Sequence, residues 1–460
     1  VQSGSVLTNG RIFRLWLPLA ATWLMMSVEG PFLAAVIARL PDPTFNLAAY
    51  GVAFSFATLA EAPIIMILSA STALVRDLDS YRRLRNFGFV LNLAVTVVIL
   101  LGLLPPVFDR VAKDWIGLPD SVAELTHRAL LLLVPWPAAI GYRRFYQGIL
   151  IRQDLTRRVA MGTVIRVIGM SGAAIVLFRT FELPGALVGA GALSAGVVVE
   201  AIATRFMAWG VKERIAKAKP SGATEALTLG RIAEFYVPLA LTSIIALGVQ
   251  PTMTFFLGGS RRAIDSLAVL PVITSLTFLF RSIGLSYQEA AIALLDGTRE
   301  NFRRVSAFAA AVGTAATAAL ALIAFTPLAN VWFRDVSGLS PELAAFSVVP
   351  LRIFCTIPFF SMQLAYQRAI LVFGRATKSV TVSTMIEVAT IVAALYVTIH
   401  VLDMVGVVAA VVSLLAGRIV GNAYMLYACH LVLSSAGIVG AGRTASSPPA
   451  IAPASHPDVS

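Results

Sequence analysis

The 460-residue chain is 58% hydrophobic and only 13% charged, with a mean hydropathy of +0.83, whereas soluble domains carry about a quarter charged residues. That excludes a soluble globular protein. The formal charge of +12 would suggest nucleic acid in a soluble domain, but here the basic residues cluster in short loops between apolar runs, which membrane topology explains without a nucleic-acid partner.

Twelve apolar runs follow one another, at roughly 13–38, 47–75, 86–108, 124–151, 158–178, 184–210, 231–258, 265–295, 304–333, 341–372, 378–401 and 404–434. A bilayer core needs about 20 such residues per helix, and a barrel would show ten-residue alternation instead. The fold class is therefore an all-α polytopic membrane protein. The first run is too long for a cleaved leader and reads as a span. With the N-terminus inside, the inside segments hold twenty Lys and Arg and the outside segments seven. That bias puts both termini in the cytoplasm, and a bacterial inner membrane is the expected location. The inside loop 210–230 separates six runs from six. The domains read as an N-terminal six-helix bundle, 1–210, a basic linker, 211–230, a C-terminal six-helix bundle, 231–434, and a Ser/Ala/Pro-rich tail, 435–460, expected to be disordered.

The two halves repeat. At a shift of 220 residues "RIFRLWLPLAAT" (11–22) falls on "RIAEFYVPLALT" (231–242), and Pro31 falls on Pro251. One inserted residue makes the shift 221, and then "TVIRV" (163–167) falls on "TMIEV" (384–388) and Gly117 on Gly338. Six spans is an even number, so the halves share one orientation. This is a parallel repeat with a pseudo-twofold along the membrane normal. Pro18 and Pro31 answer to Pro238 and Pro251, which predicts a bent first helix in each half.

Charges inside the runs are costly, about 2.5–3.5 kcal/mol each on insertion scales, and so face a partner or a watery cavity. Nearest mid-membrane are Glu29, Glu61, Arg166, Glu200, Arg281, Glu387 and Arg418; Arg143, Arg144 and Arg352 lie off-centre, and Arg128, Arg205 and Arg368 are near enough to helix ends to snorkel. Glu61 maps onto Arg281, and Arg166 onto Glu387. Two positions thus keep a charge in both halves with opposite sign. Either Glu61 and Arg281 face each other across a central cleft, or each finds a partner in its own half. Arg281 and Gln288 are seven apart and share one helix face.

Arginine keeps its charge and presents a planar fork suited to phosphate and carboxylate. Arg143, Arg144, Arg166, Arg281, Arg352 and Arg418 outnumber Glu29, Glu61, Glu200 and Glu387, which favours a small anionic substrate. The carboxylates would carry a coupling proton or restrain the arginines. Sodium is the other candidate coupling ion.

"VVPLRIF" (348–354), "AAYGVAFS" (48–55), "FYVPLAL" (235–241) and "SLLAG" (413–417) resemble the progressive ankylosis (ANK) protein family, within the multidrug/oligosaccharidyl-lipid/polysaccharide (MATE/MOP) exporter superfamily. The resemblance is collinear over about residues 11–434. It implies two six-helix bundles around a V-shaped cavity, and export of pyrophosphate, citrate or nucleotide phosphates. It also makes Arg352 the residue carried over as family-shared. A flippase for a lipid-linked phosphate or sugar and a multidrug antiporter are the other transport readings. A receptor or scaffold without transport is a further one.

No constellation for an enzyme stands out: Asp77 and Asp79 read as loop solvation. Two cysteines and four histidines form neither a disulfide framework nor a metal motif, so no cofactor or metal is expected. The chain is expected to work as a monomer in the lipid bilayer.

Overall fold

In hydrocarbon every backbone N–H and C=O must be satisfied within the chain, so long apolar runs become helices. A computed structural model describes residues 7–153, 155–217, 227–295, 298–374 and 376–435. The tail 436–460 and most of the linker, 218–226, lie outside the described residues. We number the long helical elements α1 (Asn9–Ala38), α2 (Pro43–Glu61, then Ile67–Leu74), α3 (Leu78–Gly102), α4 (Asp120–Leu133, then Pro135–Arg152), α5 (Thr156–Thr180), α6 (Gly185–Met207), α7 (Leu229–Gly258), α8 (Ala263–Leu294), α9 (Arg299–Phe325), α10 (Pro341–Phe373), α11 (Thr377–Val401) and α12 (Gly406–Ser435). Among the described residues, ten of these are long and apolar enough to cross a membrane; α2 and α4 fall short. Pro63 cannot donate to the carbonyl of Leu59. The N–H of Ala62 takes that carbonyl at 3.1 Å, and α2 turns through 62–66 before resuming at Ile67. Helix α4 breaks at Val134, just before Pro135, and carries seven charged or histidine residues, Asp120, Glu124, His127, Arg128, Arg143, Arg144 and Arg152.

The repeat read from the sequence is present in three dimensions. Helix α1 is interrupted at Val28 and α7 at Gly248, each three residues before the matched Pro31 and Pro251. At the shift of 220, Asp42 and Arg262 both take left-handed backbone, φ 51° and 53°. At 221, the π-helical turns Arg110–Trp115 and Val331–Val336 coincide, as do Gly117 (φ 79°) and Gly338 (φ 75°). The inserted residue lies between Leu294 and Arg299, where four residues join α8 to α9 and three join α2 to α3. In each half the fifth and sixth helices pack along one another, α5 on α6 and α11 on α12.

The halves meet where α2 packs on α8. A Cβ on Gly51 would stand 2.7 Å from Cγ of Pro271. These are matched positions at the 220 shift, so they meet at the pseudo-twofold. At the end opposite the termini, Arg39 donates from the α1–α2 turn to the carbonyls of Asp335 and Val336, at 2.7 and 3.0 Å. Towards the terminal end, Trp16 Nε1 donates to Ile283 O at 3.3 Å and to Ser286 Oγ at 2.9 Å, and Arg304 donates to Leu7 O at 2.7 Å. The inner part of α1 is therefore seated on α8 and α9. Reciprocally, Tyr236 of α7 donates to Pro63 O at 2.5 Å and its ring meets Phe87 edge-on. Large apolar side chains such as Val90, Leu93, Ile168 and Leu426 are exposed on the outer surface, which suits a lipid-facing wall.

Candidate functional site

Ten charged residues were expected inside the membrane, and the structure gathers nine of them into two clusters, one per half. The first holds Glu29 (α1), Glu61 (α2), Arg143 and Arg144 (α4), Arg166 (α5) and Glu200 (α6). Arg143 Nη1 lies 2.7 Å from Oε2 of Glu200, whose side chain is 0% exposed. Gln147 Nε2 donates to the other Glu200 oxygen at 3.1 Å. Arg166 pairs with Glu29 through Nη2, and its Nη1 is 4.0 Å from Glu200. A chain of alternating charge thus runs from α1 through α5 and α6 to α4. Buried charges need this density of partners. Glu61 is buried beside it, and the charges acting on it are Arg144, Arg143 and Arg166. Three guanidinium groups face three carboxylates, so the formal charges cancel.

The second cluster does not balance. Arg418 Nη2 pairs with Glu387 Oε1 at 3.1 Å, linking α12 to α11. Arg281 of α8 has no ion pair among the described residues; the charges acting on it are Arg418 and Glu387. Arg281, Arg368, Glu387 and Arg418 line one cavity of about 210 Å³, with Gln288, Ser361 and Thr384 as neutral polar groups. Its wall on the α7 side is Ala246 and Val249, either side of the α7 break. The Nε atoms of Arg281, Arg368 and Arg418 are buried with no hydrogen-bond partner in the protein. Three cations and one anion leave two positive charges without a counter-charge. That is a poor place to leave dry and a good place to receive an anion.

Glu61 and Arg281 do not pair; each is surrounded by charges of its own half. The matched Arg166 and Glu387 likewise take partners locally, from α1 and from α12. Arg281 and Gln288, expected on one face, both line the cavity. Arg352 is not brought to either cluster. It is exposed, donates from Nε to Ala324 O at 3.1 Å, and lies over the Phe325 ring, closing the end of α9. Of the three arginines expected to snorkel, Arg128, Arg205 and Arg368, the last turns into this cavity instead. A signal existed: Ser361 and Arg368 are seven apart on α10, the same spacing as Arg281 and Gln288 on α8, and all four line the cavity. Among the described residues no group of three His, Cys, Asp or Glu is placed to hold a metal.

Neither a family model nor a curated protein matches the sequence. Solved structures do match in shape. An inward-facing multidrug resistance MATE family transporter of the MOP superfamily aligns with a TM-score of 0.69 at 14% identity, over 92% of this chain and 99% of that one. The lipid II flippase MurJ in an inward closed conformation aligns at 0.68 and 12% identity, over 90% and 87%. A MOP superfamily transporter from Pyrococcus furiosus, described as having a binding pocket of reversed polarity that suggests a different function, aligns at 0.59 and 15% identity, over 92% and 96%. Near-complete coverage of each chain shows a shared fold, that of MOP superfamily transporters.

Proposed function

We propose that this chain is an alternating-access membrane transporter whose cargo presents an anionic group to Arg281, Arg368 and Arg418. The observation that carries this reading is the uncompensated charge of the second-half cavity, three guanidinium groups against Glu387 alone. A multidrug cation carrier would want the reverse balance. Small phosphates and carboxylates, the class implied by the resemblance to the progressive ankylosis family, suit the arginine fork. In this reading all twelve elements cross the bilayer, six per half, and α2 and α4 cross despite their breaks. The loop-charge bias supports termini in the cytoplasm, with an inner-membrane location. Contacts through Arg39 at the far end support assignment of this conformation as inward-facing. Glu29, Glu61, Glu200 and Glu387 are the groups available to couple a proton, and the Glu29–Arg166 pair, next to the α1 break, ties that coupling to helix bending.

A second reading is a flippase for a lipid-linked phosphate. It is supported by the fold shared with the lipid II flippase and by the same arginines, which do not distinguish a free phosphate from a lipid-borne one. Purified protein in proteoliposomes, offered pyrophosphate, citrate and nucleotides with and without proton and sodium gradients, tests the first reading; a lipid-linked pyrophosphate in the same vesicles tests the second. Flux lost in Arg281→Gln is the expected result. Flux of neither class, or flux indifferent to Arg281→Gln, would overturn the assignment.

A further inference from the structure

An apolar cavity of about 550 Å³ lies between α2, α3, α4 and the π-turn Arg110–Trp115 of the first half, with Ile244 of α7 as its one lining residue from the second half, and no member of either charged cluster lines it. This is within the range of about 300–1,000 Å³ typical of small-ligand sites. Its floor is buried, with Val52 and Ala57 on α2, Ala112 on the π-turn and Leu133 on α4. Its rim on α3 is open to the outer surface, with Val98 67% exposed. In a bilayer, that mouth faces lipid.

Two observations set this space apart from the matched region of the second half. At four matched positions the second half carries larger side chains, Ala60 answering to Phe280, Val111 to Trp332, Ala112 to Phe333 and Leu133 to Phe354, against smaller ones where Phe56 answers to Leu276 and Phe108 to Ala329. Phe333 and Phe354 are fully buried there. The second observation is polar. Thr126 lines the cavity, is 0% exposed, and its Oγ1 has no hydrogen-bond partner in the protein. A threonine in a membrane helix ordinarily bonds the carbonyl one turn back. Its mate Ser347 does so, donating to Leu343 O at 2.7 Å. Thr126 therefore keeps a donor aimed into an otherwise apolar space, six residues into α4 from its water-facing start at Asp120. At a rise of about 1.5 Å per residue that is roughly 9 Å of depth, the level at which a phospholipid chain carries its ester.

We propose that this cavity binds one acyl chain of a bilayer phospholipid, entering past Val98 with its ester carbonyl accepting from Thr126. The occupant is a lipid rather than a soluble apolar compound because the mouth opens on the bilayer face and the single polar group sits at ester depth.

The test is photolabelling of the full chain in phosphatidylcholine vesicles doped with a phospholipid carrying a diazirine on its acyl chain, with the labelled peptides mapped by mass spectrometry. Labels are expected to concentrate on the cavity walls, 52–63 and 126–137. The Ala60→Phe/Val111→Trp double variant, which copies the second half, should reduce that labelling at least fivefold while leaving the label on the outer faces around Ile168 and Leu426 unchanged. A Thr126→Val variant, nearly isosteric, should reduce wall labelling by more than half, and Thr126→Ser should restore it. If the filled variant is recovered unfolded by gel filtration, the Thr126 pair decides alone. Wall labelling no greater than on the outer faces, or unmoved by the filled variant and by Thr126→Val, would overturn the proposal.

Discussion

Trp16 and Tyr236 stand 220 residues apart at the same position of the two repeats, and each donates a hydrogen bond into the opposite half: Trp16 to Ile283 O, Tyr236 to Pro63 O. Ile283 and Pro63 are themselves a matched pair. The first helix of each half is thus strapped to the second helix of the other by the same contact used twice. A net hydrogen bond contributes about 0.5–1.5 kcal/mol. Tyr236→Phe and Trp16→Phe should each lower the melting temperature of the purified protein. If the straps are independent, the double variant should lose the sum within about 0.5 kcal/mol. A larger departure from additivity would mean that the two contacts open together as one gate.

Breaking the balanced cluster should cost more. Arg143→Met leaves Glu200, 0% exposed, with Gln147 and the 4.0 Å contact to Arg166 as its remaining partners. Removing one member of a buried pair costs about 3–5 kcal/mol, and replacing both with apolar groups is often close to neutral. The Arg143→Met/Glu200→Met double variant should therefore be more stable than Arg143→Met alone. The fraction recovered as a monodisperse species after heating checks the order.

The second-half cavity should respond to charge. A charge-assisted hydrogen bond contributes about 1.5–3 kcal/mol, so Arg281→Gln and Arg368→Gln should each weaken anion binding by roughly 10- to 100-fold. Glu387→Gln, which frees Arg418, should strengthen it. Arg352→Gln should leave binding unchanged, since that side chain closes α9 instead. Anion titration of each variant by calorimetry reads all four, and an Arg352 effect as large as that of Arg281 would relocate the site.

Outside the membrane, Asp77 caps α3: it accepts from Ser80 N at 2.8 Å, and the Ser80 hydroxyl accepts from Asp77 N. The backbone N–H of Ser80 holds the Asp77 carboxyl below the usual range. A carboxyl depressed in the folded state binds its proton more weakly there than in the unfolded chain. Its stabilisation is therefore fully present above the unfolded pKa of about 3.9 and is lost as pH falls through the lower folded value. Asp77→Ala should cost about 1 kcal/mol at neutral pH, and the difference from the parent protein should shrink in thermal melts as pH falls below the unfolded value of about 3.9.

The repeat was legible in the sequence because helix breakers and turn glycines constrain the backbone wherever they sit. Pro31, Pro251, Gly117 and Gly338 marked places where both halves bend in the same way. The presence of charge at Arg166 and Glu387 was legible for the same reason. Their partners were not. Val197 is the positional mate of Arg418, and Gly421 that of Glu200, so each half supplies its counter-charge from a different place. Pairing then depends on how far each helix is rotated, which a linear register does not carry. Arg368 shows the converse. Counted along the helix it is near an end, yet α10 turns its guanidinium inward to the cavity.

The contact between Gly51 and Pro271 carries a historical consequence. On a twofold axis a position meets its own copy, so an assembly of two identical chains would have to set glycine against glycine or proline against proline there. Two prolines would collide and two glycines would leave a hole. The present fit, a ring seated against a missing side chain, is accessible only once the two copies are free to diverge, as they are when both are written into one gene. The same freedom let one half acquire surplus positive charge while the other became neutral.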